Sequence, residues 1–240
     1  MIVTVIPAYN EATRVGKVVE EAKQRSDRVV VVDDGSTDAT ARVAAASGAI
    51  VVRHLENSGT GAATMTGIEA ARSLGADTIV TLDADGQHDP ADIALLLRPV
   101  REGTADIVFA NRFGPFDPSP SFAFGLWKGK QGKRRNRIPL IRRIFNGIGN
   151  IVTFVTTGRW VQDSQCGFKV FGPRAVREID LRMSGFECCT EIVREAAAHR
   201  WRIAEIPTKV LYSEYTLAKG QSFASGVRTA LKILLRSFLR

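Results

Sequence analysis

Short runs of β-branched and apolar residues recur along the first half of the chain, separated by stretches whose apolar positions return at helical spacing. The runs are Ile2–Ile6, Val29–Val32, Ile50–Arg53, Thr78–Leu82 and Asp106–Ala110. Continuous apolar character over so few residues predicts strands buried on both faces. Between them, helices are predicted over Glu11–Gln24, Thr37–Ser47, Gly61–Leu74 and Pro90–Arg101. The last has a start signal: Asp89 can cap it, Pro90 suits the first helical position, and Asp92 complements the helix dipole. Alternating strands and helices predict an α/β fold, with a mostly parallel sheet and helices on both faces.

The pattern changes after Arg112. Phe113–Gln131 carries Pro115, Pro118 and Pro120 among Phe, Ser and Gly, the composition of a loop. Leu140, Ile141, Ile144, Phe145, Ile148, Ile151, Val152 and Val155 then repeat at helical spacing, although Gly147 and Gly149 each weaken a helix by roughly 1 kcal/mol. A segment of mixed character runs to about Leu211. A second amphipathic helix is predicted at the C-terminal end. Phe223, Val227, Ala230, Leu231, Leu234, Leu235 and Phe238 form one face, and Arg228, Lys232, Arg236 and Arg240 another.

Composition narrows the class. No apolar run among the 240 residues is long enough to span a membrane as a helix. Met1–Pro7 lacks a basic n-region and a small-residue cleavage site, so no signal peptide is expected. The three cysteines, Cys166, Cys188 and Cys189, show no CxxC spacing and suggest a reducing compartment. The net charge is +8, and eight cations without an acid lie between Lys128 and Arg143, so this segment carries the whole imbalance. A focused patch points to an anionic partner, nucleic acid or anionic lipid.

Candidate chemistry gathers at predicted strand ends, where open α/β sheets bind ligands. The first strand ends at Pro7-Ala8-Tyr9-Asn10-Glu11, the second runs into Asp33-Asp34-Gly35-Ser36-Thr37-Asp38, and the fourth into Asp83-Ala84-Asp85-Gly86-Gln87-His88-Asp89-Pro90. Carboxylates gathered at one sheet edge repel one another unless a cation or a donor-rich ligand sits there. Oxygen ligands from Asp85 and Gln87 suit Mg²⁺ or Mn²⁺, which would in turn bind a diphosphate. Helix capping accounts for Asp38 and Asp89. Gly59-Thr60-Gly61-Ala62-Ala63-Thr64 approaches a dinucleotide fingerprint, but it lacks the third glycine and does not follow the first strand.

With PAYNE at 7–11, DDGSTD at 33–38, DADGQHDP at 83–90 and NRF at 111–113, the chain resembles the inverting family 2 glycosyltransferases of the GT-A (Rossmann-like) fold. Within them it is most similar to the dolichol-phosphate mannose synthase-like group, which transfers sugar from a nucleotide to a polyprenyl phosphate. The resemblance implies that Pro7, Tyr9, Glu11, Val32 and Asp34 hold the base and ribose of the donor. Asp83, Ala84 and Asp85 would form the DxD-type element on the donor, with Asp85, Gln87 and Asp83 at the metal. Arg112 would face the phosphates. Asp163, in the DSQCGFK segment at 163–169, would lie beside the transferred sugar, with Glu187 near it. Asp85, Asp163 and Arg112 are thus the expected catalytic residues, and Arg112, Lys219, Arg134 and Arg135 the expected acceptor-phosphate contacts. One departure stands out. The group's late arginine and lysine are replaced by Leu217 and Phe223, leaving Lys219 as the substitute. Cys166, His54 and His199 read as packing or surface residues, whereas His88 could contact a phosphate or help shape the metal loop.

The expected organisation is a nucleotide-sugar-binding part at 1–112, an acceptor-binding part at 113–215, and an amphipathic C-terminal helix at 216–240. The expected activity is metal-dependent, inverting transfer from a GDP- or UDP-sugar to a polyprenyl phosphate, by an enzyme peripheral on the cytoplasmic face of the cell membrane. A phosphate acceptor is already anionic and needs cations more than a base, although Asp163 is available as one. The two amphipathic segments would lie in the membrane interface, and the terminal one could instead mediate a homodimer or meet a membrane protein partner. The alternative is a family 2 enzyme with a hydroxyl acceptor in envelope glycan synthesis. Nucleic-acid binding through Phe113, Phe116, Phe122, Phe124, Trp127 and the following cations is the more distant reading, and no nucleic-acid partner is expected.

Overall fold

The computed structural model describes residues 1–114 and 138–211. Seven strands form one sheet: β1 (Ile2–Ala8), β2 (Arg28–Asp33), β3 (Ile50–Arg53), β4 (Thr78–Thr81), β5 (Ile107–Asn111), β6 (Lys169–Phe171) and β7 (Ile203–Pro207). Their order is β3-β2-β1-β4-β6-β5-β7. All neighbours run parallel except β6, which is antiparallel to both β4 and β5. The first five strands lie where the apolar runs predict them, to within two residues at each end.

Because side chains alternate across a strand, the apolar runs feed two cores. Val29 and Val31 of β2 pack on one face with α1 (Val15–Lys23), α2 (Thr40–Ala46) and α4 (Ile93–Arg101). Val30 and Val32 pack on the other with α3 (Thr60–Ser73), α6 (Pro173–Glu178) and α7 (Cys188–Ala198). Each fully buried Leu or Ile, such as Leu96, Leu97 or Ile68, contributes about 1.5–3 kcal/mol relative to exposure. Helix α3 lies so close to β1 that a Cβ on Gly67 would collide with Val5.

Helix starts are where prediction and structure part. Helix α1 begins at Val15 rather than Glu11, because the Glu11 carbonyl accepts from Arg14 N and Val15 N in a turn. Helix α2 begins at Thr40 rather than Thr37, because residues 36–40 are tied to residues 10–12. Asn10 N donates to Ser36 Oγ at 2.9 Å, and Ala12 N to Asp38 Oδ2 at 3.1 Å. Asp38 also accepts from Thr40 N at 2.9 Å, so it does satisfy a helix-start donor. Asp89 caps as expected, accepting from Ala91 N at 2.9 Å, but it opens a 3₁₀ turn (Pro90–Asp92) that leads into α4. The unassigned mixed segment supplies β6, α6, α7 and β7. Helix α5 (Leu140–Thr157) follows the predicted amphipathic stretch and ends on Gly158, whose φ of +66° makes it a left-handed terminator. The predicted C-terminal helix and most of the Pro-rich loop lie outside the described residues.

Candidate active site

The carboxyl ends of β1, β2, β4 and β5 converge on one open cleft of about 450 Å³. Pro7, Tyr9 and Glu11 come from the end of β1, Asp34 from β2, Asp83, Ala84, Asp85 and Gln87 from β4, and Arg112 from β5. The expected donor and metal residues are therefore brought together, with one exception. Val32 is fully buried in the core under α3, so its side chain meets apolar neighbours and lies off the cleft wall. Arg134, Arg135 and Lys219 lie outside the described residues.

Asp34 is held from several sides. Its Oδ1 accepts from Ser58 N at 2.9 Å and lies 2.7 Å from His54 Nδ1, while Oδ2 accepts from Gly59 N at 2.9 Å. Gly59 has φ +98°, a left-handed conformation that glycine adopts without strain. A Cβ there would also collide with the Ser184 carbonyl, which accepts from Gly61 N and Ala62 N. The loop before α7 is fixed in turn by Glu191, whose Oε2 accepts from Arg182 N and Met183 N.

His54 corrects the sequence reading, which treats it as an ordinary surface or packing residue. Its ring bridges Asp34 and Thr66, with Nε2 3.0 Å from Thr66 Oγ1. It thereby positions a cleft carboxylate. If Asp34 meets a donor nucleotide as the resemblance implies, His54→Ala is expected to raise KM for it roughly tenfold with a smaller change in kcat, since one charge-assisted hydrogen bond is lost. Steady-state kinetics with donor varied would check this, and His54→Asn should recover part of the loss.

The β4 loop is shaped from below. Gln87 N donates to Asp85 Oδ1 at 2.9 Å, and the Gln87 carbonyl accepts from Leu211 N. Gly167 packs on the Asp83 carboxylate so closely that a Cβ would collide with both oxygens. Burial raises the Asp83 pKa, opposed by the nearby Lys169 and Arg112 cations. His88 is buried, lies 3.4 Å from Cys166 Sγ, and tilts against Phe168 at 5.3 Å between centroids. Burial, reinforced by Arg112 and Lys169, brings its pKa down to about 3, so it is a neutral wedge beneath the loop. His199 and Cys166 stand as expected, the former stacked on Trp201 and the latter fully buried.

Arg112 and Asp163 form a bidentate pair. Arg112 Nε donates to Oδ2 and Nη2 to Oδ1, each at 2.7 Å, and Arg112 N adds a bond of 2.9 Å to Oδ2. Asn146 of α5 donates to the same carboxylate at 3.3 Å. Asp163 has no exposed surface, so it stands behind Arg112 while Arg112 reaches the cleft. Glu187 is the N-cap residue of α7 and is buried. Sequence reasoning did not single out Gln165 and Phe186, which also line the cleft; Arg142, one cation of the Lys128–Arg143 cluster, reaches it from the first turn of α5.

Among the described residues, no three acidic, histidine or cysteine side chains are gathered closely enough to hold a metal by themselves. The family model described as glycosyl transferase family 2 matches residues 3–164. The chain is 31% identical to a UDP-N-acetylglucosamine--dolichyl-phosphate N-acetylglucosaminyltransferase of Methanococcus voltae, over 98% of this chain and 95% of that one. It is 28% identical to an undecaprenyl-phosphate mannosyltransferase of Micrococcus luteus, over 94% and 88% respectively. In fold it is similar to glucosyl-3-phosphoglycerate synthase from Mycobacterium tuberculosis, solved with Mg²⁺ and UDP. The TM-score is 0.71 at 18% identity, covering 99% of this chain and 79% of that one.

Proposed function

Since the chain belongs to glycosyl transferase family 2 and has the GT-A fold, we propose that it transfers a sugar from a nucleoside-diphosphate sugar to a polyprenyl phosphate at a membrane surface. The observation that carries this is the position of α5. Its first turn lends Arg142 to the donor cleft, and its outer face carries an exposed apolar stripe leading away from it. Leu140, Ile144, Ile148, Ile151 and Val155 make up the stripe, and Trp160 just beyond the helix is also exposed. A lipid-borne phosphate needs both features side by side: cations at the reacting end and an apolar surface for its chain. The Methanococcus and Micrococcus relatives, by their names, use such acceptors.

Pro7, Tyr9, Glu11 and Asp34 hold the base and ribose, and Asp83, Ala84 and Asp85 the diphosphate end. The oxygen donors of Asp85, Gln87 and Asp83 suit Mg²⁺ or Mn²⁺, hard cations that keep water or phosphate oxygens in part of their shell. Fewer than three gathered protein acids fit that coordination. Such an ion supplies neutralisation of the charge on the departing diphosphate. An acceptor phosphate oxygen attacks the anomeric carbon from the face opposite the bond to the departing diphosphate. The new C–O bond forms as the bond to the diphosphate breaks, and the nucleoside diphosphate leaves with the electron pair. No proton has to be removed first. Arg112, held rigid by Asp163, offsets repulsion between the two phosphate groups as they approach.

A hydroxyl acceptor would instead require a base, and Asp163 is committed to Arg112 in a bidentate pair. The test is a screen of UDP- and GDP-sugars with Mg²⁺ or Mn²⁺ against a short polyprenyl phosphate, with the lipid product analysed by mass. A glycosyl phosphopolyprenol is the expected product. Elongation of a glycan with no lipid product would transfer the case to the hydroxyl-acceptor reading.

No helix among the described residues is long and apolar enough to cross a membrane. We propose peripheral attachment at the cytoplasmic face, through the exposed apolar stripe of α5, as a polyprenyl-phosphate acceptor would require. Replacing Ile144, Ile148 and Ile151 together by serine is expected to cut binding to anionic liposomes about tenfold or more in a co-sedimentation assay. Those side chains meet lipid in this reading and leave the cleft residues untouched.

A further inference from the structure

Beneath the donor cleft lies a smaller recess with chemistry that sugar transfer does not use. Its volume is about 80 Å³, and Pro7, Thr60, Asp83, Gln165 and Phe186 border both spaces. Lys169, Cys188 and Cys189 form part of its inner wall. Strand alternation sends Val170 to one core and Lys169 with Phe171 to the opposite side, so an ammonium occupies an interior position. It donates to the Cys166 carbonyl, lies 5.6 Å from the Phe109 ring centre, and stands 4.0 Å from Cys189 Sγ. A buried cation is costly unless negative charge is close.

Cys188 and Cys189 are also the first two residues of α7, at the positive end of an 11-residue helix. The groups that face Cys189 are Cys188 on its own helix, Lys169 on β6, Asp83 after β4 and Arg112 after β5. We propose that Cys189 is a modification site for small soft electrophiles, hydroperoxides above all, that enter through the donor cleft, and that its modification closes the cleft to the donor. In the reaction the Cys189 sulfur attacks one peroxide oxygen. The S–O bond forms, the O–O bond breaks, and the departing alkoxide, or hydroxide from hydrogen peroxide, takes up the thiol's proton to leave as an alcohol or water. The product is a sulfenic acid, which a small thiol reduces back.

The electrostatics agree with this placement. The neighbouring Cys188 thiol and the Lys169 cation lower the Cys189 pKa, against burial. Cys188 is shifted well upward, and burial pushes Cys166 up to about 12. Of the three thiol sulfurs, that of Cys189 is the one that stands 4.0 Å from the Lys169 ammonium, on the wall of the recess. The recess also limits the modifier to a few heavy atoms, and any adduct there presses on Asp83 and Phe186. The closure of the cleft rests on the donor reading given above, whereas the selective reactivity does not.

The two parts are tested separately on the intact chain. Methyl methanethiosulfonate, a small reagent that leaves a methylthio group, is added at neutral pH and the labelled peptide is identified by mass spectrometry. Cys189 is expected to react about tenfold faster than free cysteine, and Lys169→Met to remove that advantage. If Lys169→Met fails to fold, Cys189→Ser serves, and it should abolish the fast label. Hydrogen peroxide followed by a sulfenic-acid trap should mark the same residue. Labelling at Cys166, or none faster than free cysteine, would overturn the site. UDP or GDP with Mg²⁺ should slow the labelling, and labelled protein should lose nucleotide binding until dithiothreitol restores it. Fast labelling that leaves nucleotide binding unchanged would overturn the closure alone.

Discussion

Replacing Asp85 by alanine is expected to lower kcat by about a thousandfold or more, with the fold intact. Asp85 lines the cleft at the end of β4, and its carboxylate is fixed by the Gln87 N–H. In the proposed reaction this carboxylate would act through the cation it helps to hold, and electrostatic stabilisation of the departing diphosphate by such a cation is worth about 10²–10³-fold or more. Chelation should reproduce the loss in the wild-type protein, and added Mn²⁺ or Mg²⁺ should reverse it there but not in Asp85→Ala. The measurement is lipid-product formation with and without chelator, beside circular dichroism of the variant. Full turnover by Asp85→Ala would remove the acidic β4 end from the reaction.

The second large effect is expected at Asp163. Removing one partner of a buried ion pair leaves the other charge uncompensated, at about 3–5 kcal/mol. Asp163 is wholly buried and Arg112 nearly so, so little solvent screening applies. Asp163→Ala should therefore lower Tm by roughly 6–20 °C in a chain of this size. Asp163→Asn keeps the shape and loses the charge, and is expected to lower kcat about a hundredfold by loosening Arg112. Arg112→Lys should not rescue function, because an ammonium cannot make the bidentate contact. The pH profile separates a positioning role from a base. If Asp163 only holds Arg112, the acid limb of kcat survives in Asp163→Asn; if it is a base, that limb disappears.

The two halves of the chain differ in how far their sequence foretells their structure. Strands β1, β2 and β4 are legible because runs such as Val29–Val32 suit burial on both faces whatever surrounds them. Strand β6 is not legible: it has three residues, and one is Lys169, whose charge argues against a central strand. Its place depends on the Cys166 carbonyl and on α7, both remote from any local pattern. The same holds for helix starts. Glu11 and Thr37 look like helix beginnings, yet contacts between residues 10–12 and 36–40 hold both loops open before the helices begin.

In the cleft, the acidic strand ends are readable because carboxylates crowded at one edge require a ligand or counter-ion. His54 is not readable in that way. A histidine after β3 acquires its role only because β3 lies beside β2, so that its ring meets Asp34. Asp163 shows the limit of resemblance, which assigns it a place beside the sugar but cannot show that Arg112 stands in front. Val32 sits one residue before a buried aspartate and two before a cleft one, and strand alternation turns it into the core.

The antiparallel insertion of β6 orders the birth of the molecule on the ribosome. Strands β3, β2, β1 and β4 can pair once residue 81 has emerged. Strand β5 is made next but has no neighbour in the sheet until β6 arrives some sixty residues later. For that interval the growing chain presents two open apolar edges, at β4 and β5, that only a late segment can seal. Such long-range closure is slow and exposes the nascent chain to aggregation. Truncations ending before Phe171 should accordingly collect in inclusion bodies or on chaperones.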